Sequence, residues 1–532
     1  MSMSRSWLLV LVIIISKPGF GQGEAGQSNA GLREIRIDAG KVVGTIRSFQ
    51  GVNGVPTPIM AGLPNLEQQY RELHVDVIRT HDTMGPTDID ARYSVENPLL
   101  AWLVPDTGQR AKLVDAANAA AIFPDWNADP DEQKSYNFGP TDKVIEGIRA
   151  TGARVYYRIG RSWGANYTKL PNLDKFAAVV KHIAMHYDRG WAGGSYNAVQ
   201  YWEFWNEEDT PLFWTETPEI FYQLYEKSAR ALKAVDSSLK VGADAKAFGY
   251  GDGPYREGLL DYCKQRNVPL DFYSWHHYTM DSADPYDFNR ISDEIRKMLD
   301  AHGYSNAQSV LSEWNLTPDF TELEKARLQA AVNAAFVGDV LIYLQDSTID
   351  MAHFYRADAA WMGLFGLDGE YLKPAYTFQA MGRMLATPQR LALNGADTVG
   401  LAALAGRSSD GNTVQILASN YEIPKNYKPR PMELPAGALP KGVPVPDFSK
   451  IKSLPPRTDI KYKDNRGVRL RIEHLPWDKG GYRVQRYRLT DTENLSLVGD
   501  TTGSGDTLDI SEPMAPPSVE LIVIQRKQAI VP

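Results

Sequence analysis

Arg154-Val-Tyr-Tyr-Arg-Ile159, then Phe176, Val179, Val180, Ile183, Ala184 and Tyr187 at helical spacing, then Val199-Gln-Tyr-Trp-Glu-Phe204: this stretch reads as strand, helix, strand. A helix between two apolar strands carries the chain back along a sheet, so the strands pair in parallel. The pattern repeats on both sides. Apolar strands are predicted at Phe49–Val52, Val75–Arg79, Arg154–Ile159, Val199–Phe204, Lys240–Ala243, Phe272–Trp275, Ser309–Ser312 and Met351–Tyr355. Helices fall between them, one opened by Thr217 as N-cap and Pro218 as first helical residue. Eight such units close a (β/α)8 (TIM) barrel, predicted over residues 46–386. Residues 80–140 form an unusually long loop after the second strand, with Trp102, Trp126 and an acidic run from Asp125 to Glu132; it is placed at the barrel's C-terminal mouth, where active sites are built.

Beyond residue 386 the period changes from helical to alternating. Val414–Ser419, Val468–Ile472, Tyr482–Tyr487 and Val519–Ile524 read as an antiparallel β-sandwich over residues 387–532. The nine prolines from Pro424 to Pro456 mark an extended insertion in it, since that density permits neither helix nor central strand. The alternating Leu32, Ile35 and Ile37 make residues 22–45 a possible extra strand of this second domain. At the N-terminus, Arg5 precedes the apolar run Trp7–Ile15, followed by Pro18, Gly19 and Gly21. A bilayer-spanning helix takes about 20 residues, so this reads as a cleaved signal peptide over residues 1–21, with no membrane span in the mature chain and a secreted or periplasmic destination.

The charge balance, 57 Lys plus Arg against 65 Asp plus Glu, and the lack of a basic aromatic run argue against nucleic acid as a partner. Cys263 is the one cysteine, so disulfides within the chain, cysteine zinc sites and iron–sulfur clusters are excluded. Chemistry falls to carboxylates, histidines and hydroxyls, and no cofactor is expected.

Two strand ends stand out. In Tyr201-Trp-Glu-Phe-Trp-Asn-Glu-Glu-Asp209 and in Ser309-Val-Leu-Ser-Glu313-Trp-Asn315 an apolar strand runs directly into acids. Alternation puts Glu203, Trp205 and Glu207 on one face, until the strand end bends. Strands four and seven of a barrel would aim both acids into one bowl. Cleavage of a glycosidic bond needs such a pair: one carboxyl held protonated to donate to the leaving oxygen, and one ionised partner. A gap of about 5 Å means retention of configuration, and about 6.5–9.5 Å means inversion.

These motifs resemble the retaining (β/α)8 glycosidases, and among them glycoside hydrolase family 39, the β-xylosidase and α-L-iduronidase family. Val77-Ile-Arg79-Thr-His81, Tyr136-Asn-Phe138, Asn206-Glu207, Asp271-Phe-Tyr-Ser-Trp-His276-His-Tyr278, Ser312-Glu313-Trp314 and Lys373-Pro-Ala-Tyr376 carry the resemblance in order, over roughly Ile37 to Arg383. It implies Glu207 as acid/base and Glu313 as nucleophile of an exported, exo-acting, β-xylosidase-like enzyme with a carbohydrate substrate. The family's Asn-Glu-Pro-Asn reads Asn206-Glu207-Glu208-Asp209 here, which leaves Glu208 a competing acid and the sugar open: an arabinoside, galactoside, uronide or endo-acting specificity, or a non-catalytic carbohydrate-binding barrel, are the alternatives.

Around the two acids, Arg79 and His81 lie two apart on one strand, so both can face the bowl, Arg79 to keep the nucleophile ionised and His81 to bond a sugar hydroxyl. His276 and Tyr278 share a face, whereas His277 points away and is structural, so the adjacent histidines do not form a metal pair and no metal is expected. Asn206 can donate to a 2-hydroxyl. Trp314, with Trp163, Tyr167, Trp275 and Trp361, lies at or near a strand end where aromatic walls for a pyranose would stand.

Overall fold

The computed structural model describes residues 32–527, apart from 61, 91, 98–99, 102–103, 163–171, 211, 248, 252, 280–281, 319–321, 360–361, 426–453, 459, 462–466 and 478–480. The expected signal peptide, most of the proline-rich insertion, Trp102, Trp163, Tyr167 and Trp361 lie outside the described residues.

After β1 (Arg33–Thr45) come eight parallel strands: β2 (Gly51–Asn53), β3 (Val77–Thr80), β4 (Arg154–Ile159), β5 (Val199–Phe204), β6 (Lys240–Lys246), β7 (Phe272–Tyr278), β8 (Gln308–Asn315) and β9 (Met351–Phe354). They close in sequence order, with β9 pairing back onto β2 through Gly51 and His353. The helix Leu173–Arg189 shows why the units form. Asn172 caps its start by accepting from the backbone N–H of Asp174 and Lys175 at 2.8 and 3.1 Å, Gly190 ends it at φ 72°, and the stripe from Phe176 to Tyr187 is buried. The floor of the barrel is apolar, built by Val77, Tyr156, Tyr201, Phe272, Val310 and Met351.

The second domain comprises β10 (Gln389–Asn394), β11 (Leu401–Arg407), β12 (Thr413–Asn420), β13 (Gly467–Glu473), β14 (Tyr482–Leu489), β15 (Ser496–Gly503), β16 (Leu508–Pro513) and β17 (Ser518–Arg526). With β1 they form one nine-stranded sheet in the order β15-β14-β17-β12-β11-β10-β1-β13-β16, antiparallel except for the β1–β13 pair. The N-terminal strand is thus an inner strand of the C-terminal domain.

One helix joins the two domains. Ala331–Tyr343 is apolar but for Asn333 and Asp339 and buried at every residue except Val332, as a helix covered on both flanks must largely be. Its backbone meets the sheet where Ser419 Oγ donates to Ala335 O at 2.8 Å, and meets the last barrel helix where Thr377 Oγ1 donates to Ala334 O at 2.9 Å. Gly338 permits that approach, since a Cβ there would lie 2.6 Å from Ser419 Oγ. Gly338→Val is expected to lower stability by about 1–3 kcal/mol through overpacking at this seam, read as a reduced midpoint in urea denaturation.

Candidate active site

The bowl is organised by Arg79. The side chain is fully buried and spends four donor contacts on four elements: Nε on Glu203 Oε2 (2.5 Å, β5), Nη1 on Asn53 Oδ1 (3.0 Å, β2) and on Glu313 Oε1 (2.7 Å, β8), and Nη2 on Asn206 Oδ1 (2.8 Å). A buried guanidinium is stable only when its fork is answered by carboxylates and acceptors. Tyr156 completes the layer by donating to Glu203 Oε1 at 3.1 Å.

Glu313 ends inside this network. Besides Arg79 it accepts from Tyr278 OH at 2.9 Å, and His81 Nε2 lies 3.3 Å from its Oε1. Glu207 arrives differently. β5 stops at Phe204, and the left-handed φ values at Trp205 (68°) and Glu207 (48°) end the strand alternation. Asn206 and Glu207 consequently both reach the bowl, whereas Trp205 turns into the core, where its Nε1 donates to Phe213 O at 2.8 Å. The Glu207 N–H is tied to Ala245 O on β6 at 3.0 Å. Its carboxyl sits 3.0 Å from His276 Nδ1, which is also 3.5 Å from Glu313 Oε2.

The two acids approach closely. One oxygen of Glu207, one of Glu313 and a nitrogen of His276 all lie within 4.8 Å of one another. Burial, then the charge of Glu313, raises the pKa of Glu207 well above the carboxylate range. Burial also lifts Glu313, to about 7, even though Arg79 and the hydroxyl of Tyr278 pull it down. The first proton to leave the pair is therefore that of Glu313. His81 and His276 are held neutral by burial and by the nearby Arg79.

Glu207, His276 and Glu313 are, among the described residues, the one group spaced to hold a metal ion. A cation there would face the guanidinium that already lies 2.7 Å from Glu313, so this donor set fits proton transfer better than a divalent ion.

The structure thus brings together Arg79, His81, Asn206, Glu207, His276, Tyr278 and Glu313. Glu208 is turned out of the bowl and buried against Asp244. Trp314 requires a correction: it is fully buried between Phe288 and Phe354, at ring distances of 5.7 and 5.1 Å, because alternation on β8 sends it outward from the barrel as Glu313 points in. Trp275 is likewise core, with Nε1 donating to Ser309 Oγ at 3.1 Å. His277 packs on the Phe288 ring, away from the bowl.

Sequence reasoning missed Asn53, Asp82 and Tyr355. Tyr355 OH donates to Asp82 Oδ2 at 2.7 Å beside His81, and Asn53 braces Arg79. A polar residue directly ending an apolar strand, the signal that exposed Glu313, also marks Asn53 at the end of β2.

Comparison with known proteins bears on this site. The model of the family described as glycosyl hydrolases family 39 matches residues 125–353. The solved structure of a glucosidase from Croceicoccus marinus superposes with a TM-score of 0.79 at 35% identity, covering 93% of this chain and 100% of that one. A beta-xylosidase of Caldicellulosiruptor saccharolyticus is 33% identical over 165 residues, 28% of this chain and 32% of that protein. A beta-xylosidase of Geobacillus stearothermophilus is 23% identical over 299 residues, 49% of this chain. The match spans 58% of that relative's length.

Trp314→Ala is expected to cost about 3–5 kcal/mol of stability, as for other large buried aromatics, while leaving the affinity for any sugar ligand unchanged. Chemical denaturation and ligand titration on the same preparation separate the two.

Proposed function

Since this chain belongs to glycosyl hydrolases family 39, we propose that it hydrolyses O-glycosidic bonds with retained configuration, with Glu313 as nucleophile and Glu207 as acid/base. One observation carries the reading: the two carboxyls approach within 4.8 Å, and only Glu313 is paired with a cation. That closeness suits the retaining arrangement of about 5 Å better than the separation of about 6.5–9.5 Å of an inverting one.

In the first step Glu313 attacks the anomeric carbon while Glu207 gives its proton to the leaving oxygen. In the second, Glu207, now ionised, takes a proton from the water that displaces the sugar from Glu313. Arg79 and Tyr278 hold the nucleophile in line and ionised by donating to its Oε1 and Oε2. Asn206 has its carbonyl oxygen fixed by Arg79 and a buried Nδ2 without a partner among the described residues, so the amide is aimed to donate to a sugar 2-hydroxyl. His81 Nδ1 is a second such buried atom, suited to another hydroxyl.

The substrate we propose is a β-linked pyranoside taken exo-wise, a β-xyloside first, after the two beta-xylosidase relatives. A glucoside is the second reading, favoured by the Croceicoccus glucosidase, which matches over nearly the whole chain. Export is proposed from the apolar run behind Arg5. Among the described residues, no single helix is long and apolar enough to cross a membrane.

A panel of aryl glycosides, with the product anomer followed by NMR, tests this. β-Xyloside or β-glucoside should turn over with retention, and inverted product would sink the assignment. Glu313→Ala should abolish turnover; Glu207→Ala should lose about 10²–10⁴-fold with poor leaving groups and regain rate with azide, giving a glycosyl azide of retained configuration.

The pH profile of kcat/KM should be bell-shaped. Activity needs Glu313 ionised and Glu207 protonated, so it rises as pH passes through the Glu313 value, near about 7, and falls through the higher Glu207 value. Arg79→Met should move the acid limb to higher pH, because the cation that favours the ionised nucleophile is gone.

A further inference from the structure

Directly behind the acid/base lies a second pair of buried acids that this chemistry leaves unused. Glu208 is 1% exposed, and neither of its oxygens receives a donor from any other described residue. The group within hydrogen-bonding reach is the carboxyl of Asp244 on β6. Asp244 is fully buried; its Oδ2 accepts from Tyr273 OH at 2.8 Å, and its Oδ1 has no donor. The other titratable groups facing the pair are Asp209 on the same loop, Lys246 on β6, Tyr222 from the helix Pro218–Val235, Tyr255 from the turn Pro254–Gly258 and Cys263 from the helix Leu259–Arg266, while Arg256 of that turn faces Tyr273. The ammonium of Lys246 lies 3.9 Å from Asp209 Oδ2.

Two facing carboxylates with no donor between them repel strongly when buried, whereas a single proton converts the contact into a short, charge-assisted O–H···O bond. Burial pushes both groups upward, Asp244 to about 7 and Glu208 further. The pair also sits where the two backbones are tied. Glu207 N–H donates to Ala245 O, Ala247 N–H donates to Asp209 Oδ1 at 3.0 Å, and both Glu207 and Ala245 are left-handed, a conformation non-glycine residues keep only when their surroundings enforce it.

We propose that Glu208 and Asp244 share one proton and through it clamp the loop carrying Glu207 onto β6, making both of them positioning residues for the acid/base. The inference rests on the glycosidase reading, since the clamp preserves the reach of Glu207 toward Glu313. It also gives a purpose to the Glu-Asp that follows Glu207 in this chain.

Glu208→Gln and Asp244→Asn each replace the shared proton by an amide N–H that cannot ionise away, and Glu208→Leu removes the clamp. Infrared spectra of substrate-free enzyme, titrated from acid to alkaline pH, should show a buried protonated carboxyl that disappears as the pair ionises and is missing from both amide variants. Hydrogen exchange of the peptide around Glu207, corrected for intrinsic rate, should accelerate across the same titration in wild type and stay flat in the amide variants. On the alkaline limb kcat of wild type should fall about tenfold further than that of Glu208→Gln, a displacement of about one pH unit, with KM unchanged. Glu208→Leu should lose kcat at every pH while keeping KM. Coincident infrared and exchange titrations in wild type and Glu208→Gln would overturn the clamp. Should the wild type turn over no aryl glycoside, the glycosidase reading fails alone, and the two substrate-free titrations still decide whether the proton is shared.

Discussion

A single buried cation determines the chemistry of this barrel. Arg79 has no exposure to water, so its charge must be satisfied by protein, and among the described residues the neighbouring strand ends supply its partners. Glu203 and Glu313 supply the carboxylates, while Asn53 and Asn206 occupy the remaining donors. Removing any one of these leaves part of the fork desolvated and unpaired, which is why the set behaves as a unit. The same contacts that stabilise the guanidinium orient the Glu313 carboxylate and the Asn206 amide beside Glu207. Structure and chemistry draw on one network.

The strand ends around that network are irregular. Register shifts occur between Ala243 and Lys246 on β6, between Trp275 and His276 on β7, and between Leu311 and Trp314 on β8. Each falls where the strand leaves the regular barrel and presents a functional side chain, as bulges do beside active sites. The left-handed residues Trp205 and Glu207 serve the same end on β5. A barrel with uniform strands could not turn Asn206 and Glu207, adjacent in sequence, toward one bowl.

How much of this could be read from the sequence follows from the range of the interactions. Strand and helix periods are local, so Arg154–Ile159 and Val199–Phe204 appear with the bounds read from hydrophobic pattern alone. Arg79, His81, His276 and Tyr278 were legible because inward direction follows from spacing by two along a strand. Of the partners of Arg79, Glu313 is expected from its place at a strand end, whereas Asn53 and Glu203 are not, since nothing in the local pattern says which side chains meet the guanidinium. Nor does local pattern reveal that β1 pairs in parallel with β13, which lies more than four hundred residues later, to complete the distal sheet. Trp314 was misplaced because nearness to a catalytic strand end was given weight over alternation. The rule that turns Glu313 inward sends its neighbour out.

The division of labour between the two acids comes from their donors. Glu313 meets a guanidinium and a phenol, both of which favour the ionised carboxylate. Glu207 meets only the imidazole of His276, kept neutral by its own burial, and the neighbouring charge of Glu313 adds to the cost of ionising it. In the double displacement proposed above, bonding Glu313 to a sugar would remove its charge, and with it the principal electrostatic objection to ionising Glu207. The carboxyl that held a proton in the first step is thereby able to act as a base in the second. The reversal of roles needs no movement of the chain, because one residue's covalent state sets the other's proton affinity across a gap of less than 5 Å.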